Sequence, residues 1–217
     1  MTTQITAFRW VPEFAQGYVR DLRLRWALEE AALPYEVVLV DPEIMASAEH
    51  RQWQPFGQVP AYRDEAVEMF ETGAILIHLA DKSEALAPAE LAGRARVMSW
   101  VVAALNSIEP HAQNLVNLDT FFAGQAWTTE RRPSVRAILD SRLTSLSTWL
   151  AEKDYLEGTF TAGDIAMHTV LRELVDCGAL LPFPNLEAYR ARCEARPAFA
   201  RAMEGQMATF RENAPDL

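Results

Sequence analysis

The chain has 217 residues, of which 50% are apolar and 23% are charged, and its formal net charge is −10. This composition can bury a core and excludes a disordered chain. The acidic charge disfavours binding to nucleic acid or to an anionic membrane surface, since both require basic residues. No apolar run approaches the roughly 18–20 residues of a membrane helix. We therefore expect a folded protein that contacts neither nucleic acid nor membrane.

Cysteine content and the first residues indicate the compartment. Cys177 and Cys193 are the only cysteines, which are too few for a disulfide framework and are not spaced as metal ligands. Residues 1–4 lack the basic start and apolar stretch of a secretory signal. We expect a cytoplasmic protein that binds no metal.

The first 81 residues alternate strand and helix patterns. The predicted elements are a strand over residues 5–10, a helix over 18–32, a strand over 35–40, a helix over 42–53, strands over 61–63 and 66–70, and a helix over 72–81. In the first helix, Arg20, Arg23 and Arg25 are expected to be mostly outward. The order βαβα then ββα is a thioredoxin-like arrangement. Residues 1–81 contain no cysteine, which excludes thiol–disulfide exchange through a protein thiol in this domain.

The rest of the chain shows only helical patterns. A linker is predicted over residues 82–88, followed by helices over 89–118, 133–153, 161–177, 185–195 and 197–211. The fold class is therefore α/β plus all-α, with a thioredoxin-like domain (residues 1–81) followed by an all-helical domain (residues 89–217). Thr161 and Asp164 precede an apolar run with the spacing of a capping box, and we interpret them as a structural cap.

Two short motifs in the first domain can be interpreted as parts of a site for a small acidic peptide. Pro60 has no N–H and is tolerated at the start of a strand. If the chain turns sharply there, the backbone of Val59 faces outward, where an extended peptide can pair with it as an added strand. Glu71 and Thr72 stand at the start of an apolar periodic run. A hydroxyl and free N–H groups at a helix start form a site for a carboxylate.

These motifs resemble the glutathione-binding half of the soluble glutathione S-transferases. The chain is identified as a bacterial-like member of that family without a catalytic cysteine. The resemblance implies that the bond before Pro60 is cis and that Val59 pairs with the cysteinyl unit of glutathione. It also implies that Glu71 and Thr72 hold the γ-glutamyl end of glutathione. In the second domain, the motif at Thr161 and Asp164 resembles the capping motif of the family's helical domain.

Two further residues are candidates for binding glutathione. Gln58 could hydrogen-bond the peptide backbone, at a position where the family often has Gln or Lys. His50 could pair with the glycyl carboxylate, and the alternative is a surface histidine without a role.

The residue that stabilises the glutathione thiolate is less clearly marked. The family places a Tyr at the end of the first strand, or a Ser or Cys at the start of the first helix, whereas residues 8–10 here carry no hydroxyl. Aligning Ala27–Glu30 with the family's Ala-Leu-Glu-Glu puts Tyr18 where many members have Ser or Thr. Tyr18 is therefore the catalytic candidate. The alternatives are Gln16, a backbone N–H, or the cation of Arg20, which can also be a solvated helix charge.

The electrophile site is predicted from one helix face and one loop. Ser107, His111 and Asn114 lie at 3–4 residue spacing on the predicted long helix. If that face lines the cleft between the domains, Ser107 and His111 contact an electrophile together with Phe14 from the loop before Tyr18. A purely structural face is the alternative.

The resemblance implies a transferase of alkyl or aryl groups that acts in detoxification. Glutathione would be the co-substrate, no metal is needed, and the partner would be a small hydrophobic electrophile that is conjugated or, as with peroxides, reduced. The family forms two-fold homodimers, and the apolar long helix is consistent with this through Val97, Met98, Val101, Val102 and Leu105. A purely internal core is the alternative, so the dimer is implied by the resemblance alone.

A non-catalytic transferase-like protein, used for ligand binding or assembly, is the alternative function. The missing strand-end Tyr and the missing Ser or Cys at the helix start favour it. The intact Glu71 and Thr72 oppose it, since a pure scaffold needs no γ-glutamyl site.

Overall fold

The structure is a computed structural model that describes residues 2–215. It divides into two compact units, one formed by Met1–Leu86 with Arg196–Leu217 and the other by Ala87–Ala195. The last helix thus groups with the first unit, although the sequence patterns put it with the helical domain. None of the helices among the described residues combines the length and apolar character that crossing a membrane requires.

The first unit is built around a four-stranded sheet with the strand order β2-β1-β3-β4, in which β1 and β2 are parallel and β3 and β4 are antiparallel to their neighbours. This topology confirms the thioredoxin-like arrangement. Its elements are β1 (Thr3–Phe8), a 3-10 turn (Glu13–Ala15), α1 (Asp21–Glu30), β2 (Tyr35–Val40), α2 (Pro42–Ala46), α3 (Ala48–Trp53), β3 (Ala61–Arg63), β4 (Glu68–Phe70) and α4 (Thr72–Lys82).

The second unit is all-helical, as predicted. Its elements are α5 (Leu91–Ala103), a π-helical turn (Ala104–Ile108), α6 (Glu109–Thr120), α7 (Ala126–Leu150), α8 (Ala162–Arg172) and α9 (Pro184–Glu194). The final helix, α10 (Pro197–Glu212), packs against α1 in the first unit.

Several predicted helix boundaries were wrong for local reasons. The segment 42–53 forms two helices because Ser47 is extended and caps α3 by accepting the His50 N–H at 3.2 Å. The segment 89–118 contains a π-helical turn that ends just before α6, where Pro110 has no N–H to donate to the preceding turn. α7 begins before Pro133 rather than at it, and contains that proline in its interior.

The expectation that Arg23 and Arg25 point outward was wrong. They are 2% and 3% exposed, because α1 is covered on one side by α10 and on another by α4. The apolar stripe seen in the sequence marks only one face of α1, whereas every residue from Asp21 to Leu28 is buried.

The start of α8 has a complete capping box. The Thr161 Oγ1 accepts the Gly163 N–H at 3.2 Å, and the buried Asp164 carboxylate accepts the Thr161 N–H at 2.8 Å. The same carboxylate accepts the Tyr189 hydroxyl at 2.9 Å, which ties α9 to α8. A Cβ at Gly163 would lie 2.7 Å from the Cβ of Trp100, so this close approach to α5 requires glycine.

Candidate functional site

The two motifs of the first unit lie at the same end of the sheet. β3 and β4 pair with Ala61 opposite Phe70, so Pro60, just before β3, and Glu71, just after β4, leave the hairpin side by side. Thr72 is then the first residue of α4. The Val59–Pro60 peptide bond is cis.

The loop before Pro60 is organised by a buried amide. The side-chain Oε1 of Gln54 accepts the N–H of Phe56 at 2.7 Å and the N–H of Gln58 at 3.3 Å. Gly57 has φ +63°, and a Cβ there would lie 3.1 Å from the carbonyl oxygen of Met45. Glycine is required at this turn because an L side chain would be strained and crowded.

Two contacts fix the same loop to β1 and to α3. The Ala61 N–H donates to the Thr6 Oγ1 at 2.7 Å, which fixes the start of β3 against β1. The Nε2 of His50 lies 3.1 Å from the Gln58 carbonyl oxygen, so His50 fixes the backbone of that residue. The surface alternative for His50 was wrong, because the side chain is only 5% exposed. Its contact with a glycyl carboxylate stays a prediction.

The backbone of Val59 takes no part in the hydrogen bonds that fix this loop. Within residues 2–215, neither its N–H nor its carbonyl forms a hydrogen bond. Backbone groups in folded proteins are nearly always satisfied by protein or by solvent. Val59 therefore offers one donor and one acceptor to an extended peptide, and the exposed Gln58 side chain lies next to it in the chain.

Glu71 has an unusual backbone conformation, with φ 69° and ψ 114°. Side-chain-bearing residues rarely adopt this region, and such a residue costs on the order of 1–3 kcal/mol. Its side chain is exposed, and its carboxylate forms no hydrogen bond or ion pair within the described part of the chain. The strained residue thus presents an unused carboxylate, which can accept from a ligand ammonium group.

Thr72 is buried beside a charged side chain that the sequence patterns missed. Its Oγ1 accepts from the Nη1 of Arg23 at 3.2 Å, so the hydroxyl hydrogen remains for donation to a ligand. The first N–H groups of α4 and the cation of Arg23 both favour a carboxylate at this point. Arg23 was missed because a pattern search on α1 assigns charged residues to an outward face.

The candidates for thiolate stabilisation lie in the turn before α1. α1 begins at Asp21, so Tyr18 precedes the helix instead of starting it; its N–H donates to the Ala15 carbonyl at 3.1 Å and its side chain is 39% exposed. Arg20 is exposed and directly precedes α1. The Gln16 amide donates to the Val11 carbonyl at 3.0 Å, so this side chain closes the loop.

The three predicted electrophile contacts belong to different units. Phe14 is 63% exposed in the 3-10 turn of the first unit. Ser107 lies in the π-helical turn and His111 in α6, and both are partly exposed. A common site for them stays a prediction.

Comparison with known proteins gives the family. The family profile described as "Glutathione S-transferase, N-terminal domain" matches residues 15–81. A glutathione S-transferase of Arabidopsis thaliana is 30% identical over 188 residues, covering 81% of this chain and 88% of that protein. The chain belongs to the glutathione S-transferase family. The matched segment of this transferase contains Tyr18 and all six candidate glutathione contacts, which are His50, Gln58, Val59, Pro60, Glu71 and Thr72.

Two further relatives of this transferase are informative. A disulfide-bond oxidoreductase of Escherichia coli is 25% identical over 201 residues, covering 81% of this chain and 86% of that protein. The solved structure of a glutathione transferase from Burkholderia graminis has a TM-score of 0.81 and 27% identity, and covers 94% of this chain and 88% of that one. That structure contains two glutathione molecules per subunit.

Proposed function

We propose that the protein is a glutathione transferase that transfers alkyl or aryl groups by conjugating small hydrophobic electrophiles with the glutathione thiolate, with peroxide reduction as a side activity. The observation that carries the proposal is Glu71, whose carboxylate is unused at a strained backbone position beside the Thr72 hydroxyl. A non-catalytic scaffold gains nothing from keeping such strain. The proposal extends to a cytoplasmic role in detoxification.

Glutathione would bind along the exposed end of the sheet. Its γ-glutamyl carboxylate would meet the Thr72 hydroxyl and the first N–H groups of α4, and its ammonium group would donate to Glu71. Its cysteinyl unit would pair with the backbone of Val59. Gln58 would contact the peptide backbone, and His50 would be the nearest candidate for the glycyl carboxylate.

Glu71→Gln tests this placement by calorimetric titration with reduced glutathione. A hydrogen bond to a charged group is worth roughly 1.5–3 kcal/mol, so the variant should bind about 10- to 150-fold more weakly. Glu84→Gln removes an exposed charge elsewhere in the first unit and should bind like the wild type. Equal affinity in Glu71→Gln would contradict the γ-glutamyl site, and no binding by the wild type at about 10 mM would exclude the glutathione function.

We propose Tyr18 as the group that stabilises the thiolate, with Gln16 and Arg20 as the alternatives. Tyr18 supports the proposal by its hydroxyl and by its place in the turn that leads into α1, where it is 39% exposed. The Gln16 side chain is already engaged with the Val11 carbonyl, which weakens its candidacy.

Tyr18→Phe should raise the pKa of the bound thiol by at least about one unit, because one unit corresponds to about 1.4 kcal/mol of lost thiolate stabilisation. Glutathione affinity should change little. The measurement is the ultraviolet absorbance of the bound thiolate as a function of pH, repeated for Arg20→Gln. A shift in Arg20→Gln and none in Tyr18→Phe would assign the role to the cation.

Glutathione-dependent reduction of disulfides is the second candidate function, and the distribution of cysteines favours it. No cysteine precedes Cys177, whose thiol pKa is raised by burial, and Cys193 is completely buried. Thiolates must therefore come from glutathione, and the Burkholderia relative binds two glutathione molecules. The first thiolate would attack one sulfur of a disulfide, forming a mixed disulfide and releasing one thiolate. The second would attack the glutathione sulfur, giving glutathione disulfide and the other thiolate.

Two substrates separate the functions. An activated aryl chloride reports conjugation, and a hydroxyethyl disulfide reports reduction, each assayed with Cys177→Ala as the control. Disulfide reduction that survives in Cys177→Ala supports the two-glutathione route, because the protein thiol is then dispensable. Loss of reduction in that variant would contradict it.

The electrophile would be held by Phe14, Ser107 and His111. Phe14 is an exposed aromatic ring in the turn before Tyr18 and suits an apolar substrate. Ser107 supports the proposal through its position, since π-helical turns within α-helices are frequent at functional sites. His111 lies one turn further along the chain, in α6.

We also propose a homodimer, which an exposed apolar stripe on α5 supports. Leu91, Met98 and Val102 are exposed at helical spacing, with Leu91 84% exposed. Val97 and Val101 are buried, so these two predicted contacts belong to the core.

Met98→Glu combined with Val102→Glu should give a monomer in sedimentation at about 10 μM, because two charges would be buried in the interface. Ser99→Glu, a neighbouring exposed position, is the control, and an unchanged dimer in the double variant would contradict this interface.

A further inference from the structure

A buried amide on α10 binds the backbone just before α1. Gln206 is completely buried, and its Nε2 donates to the Asp21 Oδ1 at 2.6 Å and to the Val19 carbonyl oxygen at 3.1 Å. Both hydrogens of the amide nitrogen are therefore used at the start of α1. The Val19 carbonyl also accepts the Leu22 N–H at 3.0 Å, so this one oxygen is fixed by two elements.

Asp21, the first residue of α1, is completely buried as well. Its Oδ2 accepts from the Nε of Arg25 at 2.7 Å, and the Nη2 of Arg25 lies 3.4 Å from the Oγ1 of Thr209 on α10. Burial raises the pKa of the Asp21 carboxyl, while Arg25 and Gln206 act in the opposite direction. The first turn of α1 is thus tied to α10 by a polar network whose members Asp21, Arg25 and Gln206 are buried.

Docking of α10 does not depend on the Gln206 amide. The Trp26 and Phe199 rings pack with centroids 4.9 Å apart, and Arg196 and Arg201 pair with Glu30 and Glu29 at 2.6 Å and 2.7 Å. Within residues 2–215, the Gln206 Oε1 is buried without a hydrogen-bond partner, which makes the amide costly compared with an apolar side chain of the same length. The amide therefore stabilises the buried Asp21 carboxylate through its Nε2 and carries a cost at its Oε1.

Val19 lies between the two leading candidates for thiolate stabilisation, Tyr18 and Arg20. Fixing its carbonyl restricts the backbone on both sides, and a thiolate contact loses much of its strength when its donor is displaced. We propose that Gln206 is a positioning residue. It holds the turn at residues 18–20 so that the Tyr18 hydroxyl or the Arg20 cation meets the thiolate of bound glutathione. The inference rests on the proposed function.

Gln206→Met tests the proposal, because methionine keeps the length and removes both donated hydrogen bonds. The bound-thiol pKa should rise by about one unit, for example from ~6.5 to ~7.5, which lowers the thiolate fraction and kcat/KM about threefold at pH 7. The loss should fall on kcat, while glutathione affinity stays near the wild-type value because Glu71 and Thr72 are untouched. Arg201→Met removes an ion pair between α10 and the other end of α1, and should leave the thiol pKa unchanged.

The outcomes separate this proposal from the function itself. If the wild type lowers the thiol pKa and Gln206→Met lowers it equally, the positioning role is wrong and the transferase function stands. If Arg201→Met shifts the pKa as much as Gln206→Met does, docking of α10 in general is responsible and the specific role is overturned. If the wild type binds no glutathione, the function fails first. If Gln206→Met does not fold, Gln206→Leu replaces it, since leucine is a smaller apolar side chain that also lacks the N–H groups.

Discussion

The burial of charged side chains on α1 constrains everything around the proposed site. A buried charge is costly unless it is paired and hydrogen-bonded. Arg23 finds the Thr72 hydroxyl at the start of α4, and Arg25 finds Asp21 and, on α10, Thr209. These contacts run from one helix to its two neighbours. The position of α1 is therefore fixed by polar partners that belong to the proposed binding site on one side and to the C-terminal helix on the other.

The proposed site combines groups that are fixed by hydrogen bonds with groups that are available to a ligand. The loop that leads to Pro60 is fixed by hydrogen bonds with the side chains of Gln54, His50 and Thr6. Within the described residues, this arrangement gives the backbone of Val59 no hydrogen-bond partner. Glu71 keeps a strained conformation that a glycine would adopt at lower cost. The strain at Glu71 lowers folding stability locally, and binding of a peptide with two carboxylates and one ammonium group would compensate it.

The sequence predicted the parts of this arrangement whose signal is local. The proline before β3, the Glu-Thr pair at the start of α4 and the strand at residues 35–40 follow from nearest-neighbour chemistry. The buried state of Arg23 did not follow, because hydrophobic periodicity identifies only one face, whereas α1 is covered on several. The grouping of α10 with the first unit also depends on contacts about 180 residues apart, such as Gln206 with Asp21, which no local pattern contains.

The absence of cysteine from the first unit determines what the protein has to supply chemically. In the proposed function the thiol comes from glutathione, and lowering its pKa by ~2 units requires ~2.7 kcal/mol. The start of a helix supplies roughly 0.3–1 kcal/mol, which is too little by itself. In the proposed function a further group would supply the rest, and the candidates are the hydroxyl of Tyr18, the cation of Arg20, and Gln16 or a backbone N–H. Tyr18 and Arg20 both precede the first helical residue, in the turn that leads into α1. A thiolate contact from this turn depends on a fixed donor position, and the amide of Gln206 adds a hydrogen bond to the turn's backbone from outside it, at the Val19 carbonyl.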